Sequence, residues 1–237
     1  MPTYNQQAMQ GAEHYGVVPA GSAGVSERQG FLAKVYMTVG AGLFVAGVAA
    51  IATLGSPTLM NGILGLLRIP LLYIAVIFGI TFGVQAVSTK PGINVVAYGI
   101  YAWFLGMVTA PLVMYVVAQT GTFATVYWAL ALTTALFGGL TLWALSTRED
   151  LSGWGRYLMY GAWAMFGVVI VALIFNLAIG LWYNAVWVAL ISGFVMYETQ
   201  MIQRRFPTTM WMSASIALMT DFIVMFWHIL SLLGRRR

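Results

Sequence analysis

Residues 212–233 read MSASIALMTDFIVMFWHILSLL, an apolar run with one charged side chain, Asp221, near its centre. The run before it, 181–203, reads LWYNAVWVALISGFVMYETQMIQ and also holds a single charge, Glu198. A helix of roughly 20 apolar residues crosses the hydrocarbon core of a bilayer. Both runs meet that length, so both are read as spans.

Working outward from this pair, five further stretches qualify: about 31–54, 70–88, 93–118, 122–146 and 155–178. The separators carry turn chemistry. They include Gly55-Ser56-Pro57, Lys90-Pro91-Gly92, Gln119-Thr120-Gly121, Ile179-Gly180 and Arg204 to Pro207, and the most polar is Ser146 to Gly155 with Arg148, Glu149 and Asp150. The pattern predicts an all-α membrane protein, a bundle of seven transmembrane helices over 31–237. A polar N-terminal tail over 1–30, read as flexible, precedes it. The tail lacks the basic start and apolar core of a signal peptide.

Composition agrees. Hydrophobic residues make up 61% of the chain and charged residues 7%, with a mean hydropathy of +0.86. A soluble domain carries roughly 25% charged residues, so lipid must solvate most of this surface. The net charge of +5 is no nucleic-acid footprint, because the basic residues sit at the ends of apolar runs. Cysteine is absent, which removes disulfides and thiolate chemistry. With two histidines in addition, no resident cofactor or transition-metal site is expected. An N-terminus in the cytoplasm places Arg28, Lys34, Lys90, Arg148, Arg156, Arg204 and Arg205 inside, as the positive-inside rule asks, and leaves Arg68 and the tail Arg235 to Arg237 outside. The basic tail runs against the rule: either the last segment crosses despite it, which is the preferred reading because 212–233 is long enough to span, or that segment is re-entrant. Small residues within spans, such as Gly40, Gly42, Gly47, Gly138 and Gly139, are read as sites of close helix packing.

Glu198 and Asp221 are the two acids inside spans, and an intramembrane carboxylate is a functional candidate by default. Spans six and seven run antiparallel about the short turn near Arg204 to Thr209. At 1.5 Å per residue, Glu198 lies roughly 7 Å and Asp221 roughly 14 Å from the inner ends of their spans. The two carboxyls are therefore expected to meet in the inner half of the bundle. Two carboxyls in a dry site share one proton. Stripped of it they repel, or recruit a cation such as Ca²⁺, which prefers oxygen ligands. The bland alternative has each acid in a local contact with Thr199, Gln200, Thr220 or Ser213. His228 lies seven residues beyond Asp221 on the same helix face and is an accessory candidate, with Gln200 and Lys90. Asn176, Asn184 and Gln85 read as interhelical hydrogen-bonding groups.

Gly193-Phe-Val-Met-Tyr-Glu-Thr-Gln-Met-Ile202, Ala217-Leu-Met-Thr-Asp-Phe-Ile-Val-Met-Phe226 and Leu230 to Arg237 resemble signature segments of the Bax inhibitor-1 family, the transmembrane Bax inhibitor motif proteins. Phe31 to Tyr36 and Ala135 to Gly155 resemble its first span and its centre. The resemblance covers about 30–237. It implies six helices around a central last one, and a pH-sensitive calcium leak gated by an acidic pair that maps onto Glu198 and Asp221. The short loops and plain tail point to a bacterial type of member in the plasma (inner) membrane, with an organelle membrane as the alternative. Some bacterial relatives carry an arginine near the end of the second span that latches onto the pair. Here Gly83 to Lys90 has none, and Lys90 is the nearest base. The expected function is a cation leak channel, not an enzyme. The alternative is an interaction partner that modulates a membrane-anchored quality-control protease. An intramembrane aspartyl protease is a distant third, because Asp221 follows Leu218-Met219-Thr220 rather than Gly-x-Gly.

Overall fold

A computed structural model of the chain describes residues 19–175, 177 and 180–234. These residues are almost entirely helical. The helices are α1 (Val25–Leu54), α2 (Pro57–Leu67), α3 (Pro70–Ala86), α4 (Ile93–Thr120), α5 (Ala124–Ser146), α6 (Trp154–Phe175), α7 (Leu181–Arg204) and α8 (Trp211–Gly234). Lipid offers no partner for a free N–H or C=O, so each crossing segment closes its own hydrogen bonds as a helix. Breaks fall where the sequence supplies turn chemistry. Ser56 accepts from the Leu59 N–H and Pro57 opens α2, while Gly121 ends α4 in the left-handed conformation at φ 70°. Only a residue without Cβ takes that conformation cheaply.

Six helices are long and apolar enough to cross a membrane, and the count reaches seven only if the α2–α3 pair, bent by 105°, is one broken span rather than a re-entrant loop. The connection expected over 55–69 is therefore itself mostly helix, with Met60 and Ile63 buried. The first span starts at Val25, six residues before Phe31, so the end of the expected tail is built into the bundle. The rest of that tail, 1–18, lies outside the described residues, as do Asn176 and Arg235 to Arg237.

Helix α8 packs against α1, α4, α5 and α7. Its Ala214, Leu218, Met219, Met225 and Leu230 are fully buried. Helices α1 and α4 approach most closely at Gly106, where a Cβ would collide with the Ala46 carbonyl, and at Gly42, where it would strike Tyr98 and Met219. Gly40, Gly47, Gly138 and Gly139 face open space, so of the five glycines expected at packing sites only Gly42 is at one. We call the end of the bundle that carries the start of α1, the ends of α5 and α7, and the start of α8 the basic face. Lys90, Arg148, Arg156, Arg204 and Arg205 lie at this end.

Candidate functional site

Glu198 stands six residues before the end of α7, and Asp221 ten residues after the start of α8. Their Cα atoms are thus roughly 9 Å and 15 Å in from the basic face along their helices. The two helices pack along their length, and the Glu198 carboxyl lies within Coulombic reach of Asp221. Each residue keeps some accessible surface, but Glu198 Oε2 and Asp221 Oδ2 are sealed and make no hydrogen bond. Buried polar atoms are nearly always partnered, so two orphan oxygens on neighbouring carboxyls are a concentrated exception. Among the described residues no third His, Asp or Glu joins them to make a larger ligand cluster.

Polar groups continue beyond Asp221. Tyr101 on α4 lies near the acid, and its Oη is 2.8 Å from Thr220 Oγ1. The Thr220 proton already goes to the Ile216 carbonyl at 2.7 Å, which makes Tyr101 the donor to Thr220. Thr81 Oγ1 on α3 stands 3.4 Å from the same Tyr101 Oη. Gln85 Oε1 accepts from Ser213 Oγ at 2.7 Å, tying α3 to the first turn of α8. The other flank of α8 is different. There a cleft of about 590 Å³ opens between α1 and α5, lined by apolar groups such as Leu43, Phe44, Phe222 and Phe226.

The accessory candidates separate. Gln200 is fully buried, and its amide is used up on the α5–α6 loop. Its Oε1 accepts from the Leu151 N–H at 2.6 Å, and its Nε2 donates to the Glu149 carbonyl at 2.6 Å. Arg204 Nη2 adds a bond to the Thr147 carbonyl at 3.0 Å. Gln200 therefore clamps a loop rather than joining the acids. Asp150 in that loop accepts from the Ser152 N–H and stands 3.8 Å from Arg205. The Ser152 bonds, followed by the nearby arginines, hold its carboxyl below the usual aspartate range. Lys90 is exposed and forms no ion pair with either acid; among the described residues the one ion pair is Arg205 with Asp150.

His228 is roughly 10 Å along α8 from Asp221, away from the basic face. Its Nδ1 is 2.8 Å from Asn184 Oδ1, and its ring stacks on Trp187 at 5.5 Å with an edge contact to Tyr183. It belongs to an aromatic cluster at the opposite end of α7 and α8. The Asn184 and Gln85 contacts are interhelical, as expected.

Two features were not anticipated. Residues 19–23 form a short strap over the α7–α8 turn: the Ala20 N–H donates to the Phe206 carbonyl at 2.8 Å, and Ala20 is fully buried. Pro19 bridges Pro207, and Gly21 sits so close to the Arg204 carbonyl that a Cβ would not fit. The second is Tyr36 on α1, whose Oη lies beside Thr141 and Thr199. A tyrosine hydroxyl inside an apolar span needs a partner, and that was the available signal.

Comparison with known proteins places this geometry in a family. A relative from Helicobacter pylori strain J99, described as an uncharacterized protein, is 31% identical over 203 residues, covering 81% of this chain and 83% of its own. An uncharacterized membrane protein of Vibrio cholerae is 25% identical over 208 residues, covering 86% and 88%. Protein lifeguard 4 of Mus musculus is 26% identical over 236 residues, covering 98% and 95%. The family model described as "Inhibitor of apoptosis-promoting Bax1" matches residues 28–237, and with nearly the whole described bundle inside that match the chain belongs to the Bax inhibitor family.

Proposed function

We infer that this protein is a pH-controlled leak pathway for cations, Ca²⁺ foremost, with the Glu198–Asp221 pair as its gate. One observation carries the reading: two neighbouring carboxyls on packed helices, each with a sealed oxygen that nothing in the protein satisfies. A proton shared between them pins α7 to α8 and closes the path. When it leaves, two like charges in a low dielectric repel by several kcal/mol unless a cation neutralises them. Ca²⁺ is the hard, doubly charged species that two carboxylates attract best, and it is cargo held transiently. In this reading the bundle is seven spans with α8 at the centre, in a bacterial plasma membrane with the N-terminus in the cytoplasm. The protein catalyses no reaction and needs no resident cofactor.

The test is Ca²⁺ uptake by liposomes holding the purified protein. Wild type is expected to conduct more as the pH on the basic-face side rises. Glu198→Gln with Asp221→Asn is expected to conduct at a level independent of pH. A double variant whose pH profile matches wild type would remove the pair from the mechanism.

A second reading, modulation of a membrane-anchored protease or another membrane partner, draws on the strap. A partner gripping the N-terminal segment would pull on the Arg204–Pro207 turn, which joins the two acid-bearing helices. Co-purification of a partner that survives removal of residues 1–29 would count against a tail-mediated version.

A further inference from the structure

Five threonines are buried in the described helices: Thr53, Thr109, Thr133, Thr141 and Thr199. Three of them behave alike. Thr53, Thr109 and Thr133 each donate to the carbonyl four residues back at 2.7 Å. This is the ordinary way a helix hides a hydroxyl from lipid. Thr141 and Thr199 do not make that bond, and their hydroxyls have no partner. These two flank Tyr36, whose own Oη is equally unpartnered. Three helices thus turn three hydroxyls toward one another: Tyr36 Oη is within hydrogen-bonding reach of Thr141 and Thr199, but no pair has the alignment of a formed bond.

The level of this group is fixed by its neighbours. The Lys34 ammonium lies 3.9 Å over the Trp211 ring, and Ser215 Oγ donates to the Val35 carbonyl at 3.2 Å. Tyr36 is therefore level with the first turns of α8. Thr141 and Thr199 each stand five residues before the end of their helix. Asp221 is six residues, roughly 9 Å, deeper than Ser215. The hydroxyls lie between the basic face and Asp221, and Thr199 adjoins Glu198 in sequence. Both α5 and α7 end on this face, so their carbonyl ends lend it negative potential.

We propose that Tyr36, Thr141 and Thr199 form a neutral oxygen station that takes a partly dehydrated metal cation on its way between the basic face and the carboxylate pair. Hydroxyl oxygens stand in for the hydration waters the ion leaves behind, as backbone carbonyls do in selectivity filters. A neutral station suits this step, because a third carboxylate would bind too tightly to release. The proposal deepens the leak-pathway reading and rests on it for its function, but not for its binding chemistry.

Two measurements decide it. Crystals of the wild-type protein soaked in Ba²⁺ are expected to show an anomalous peak within coordination range of the three hydroxyls. The peak is expected to vanish in Tyr36→Phe with Thr199→Val. No peak, or ordered water only, overturns the station whatever the protein conducts. In liposomes the same variant is expected to pass Ca²⁺ about tenfold more slowly with an unchanged pH midpoint, while the control Thr133→Val conducts like wild type. If the hydroxyl variant keeps wild-type flux while Glu198→Gln with Asp221→Asn abolishes the pH dependence, the station fails and the gate stands. If the peak appears but the acid variants keep their pH dependence, the gate fails and the binding site stands.

Discussion

Gln200 on α7 and Leu151 in the α5–α6 loop are joined by a 2.6 Å hydrogen bond, and the same Gln200 amide holds Glu149 from its other end at 2.6 Å. Both ends of a fully buried amide are thus spent on one loop. Gln200→Leu leaves the buried Leu151 N–H without a partner and removes the anchor of the part-buried Glu149 carbonyl. Stranding the buried N–H costs about 1–3 kcal/mol. The expected outcome is a clear fall in the thermal midpoint in detergent, with the pH midpoint of Ca²⁺ flux unchanged. Gln200→Glu is expected to fall at least as far, because a carboxylate cannot donate to the Glu149 carbonyl. A pH midpoint that moved with either change would return Gln200 to the gate.

Residues of this chain differ in how much of their role the sequence alone displays. Span positions were legible because lipid imposes a length and a polarity that a single chain must satisfy alone. The ends of α4, α5, α7 and α8 accordingly fall within two residues of the expected ones. Glu198 and Asp221 were legible for the same reason, since charge inside an apolar run stands out without knowledge of the partner. Gln200 was misread because the chain does not reveal that its amide meets backbone groups some fifty residues away. Tyr36 and Thr141 do not stand out, and Thr199 is read only as a local contact of the acids, because hydroxyls are common in spans and usually bond back to their own helix. Only three-dimensional packing shows which ones do not.

Gly106 and Gly47 make a matched pair for the packing. A Cβ at Gly106 meets the Ala46 carbonyl, whereas one at Gly47 meets nothing within 4 Å. Gly106→Ala must push α1 from α4, and overpacking of this kind costs about 1–3 kcal/mol. Gly47→Ala gains helix propensity at little steric cost, so its effect is expected to stay within about 1 kcal/mol of wild type on the stabilising side. Thermal midpoints of the two variants in the same detergent check the difference, and an equal loss for both would contradict the close approach of α1 and α4.

Asp150 gives a pH dependence whose sign is fixed. Its folded-state pKa lies below the ordinary value because the Ser152 bonds and then the nearby arginines favour the carboxylate. Its contribution to stability is therefore present at neutral pH and lost as pH falls through the folded pKa. Asp150→Asn is expected to lower the thermal midpoint slightly at pH 7, by less than Gln200→Leu does. The gap to wild type is expected to close as the solution is acidified below the aspartate range. A gap that widened on acidification would reverse the assigned cause.

His228 tests whether the far end of α8 takes part in gating. Its Nδ1 is engaged by Asn184 at 2.8 Å, and its ring lies against Trp187 and Tyr183. Those contacts anchor the ends of α7 and α8 away from the basic face, while the acids sit a turn or more nearer to it. His228→Gln keeps a polar group within reach of Asn184 but removes the titrating ring. If the acidic pair alone senses pH, this variant loses about 1–2 kcal/mol of stability through the lost ring packing and leaves the flux midpoint in place. If the midpoint moves by as much as it does in Glu198→Gln, protons are read at both ends of α8, and the carboxylate pair is only half of the sensor.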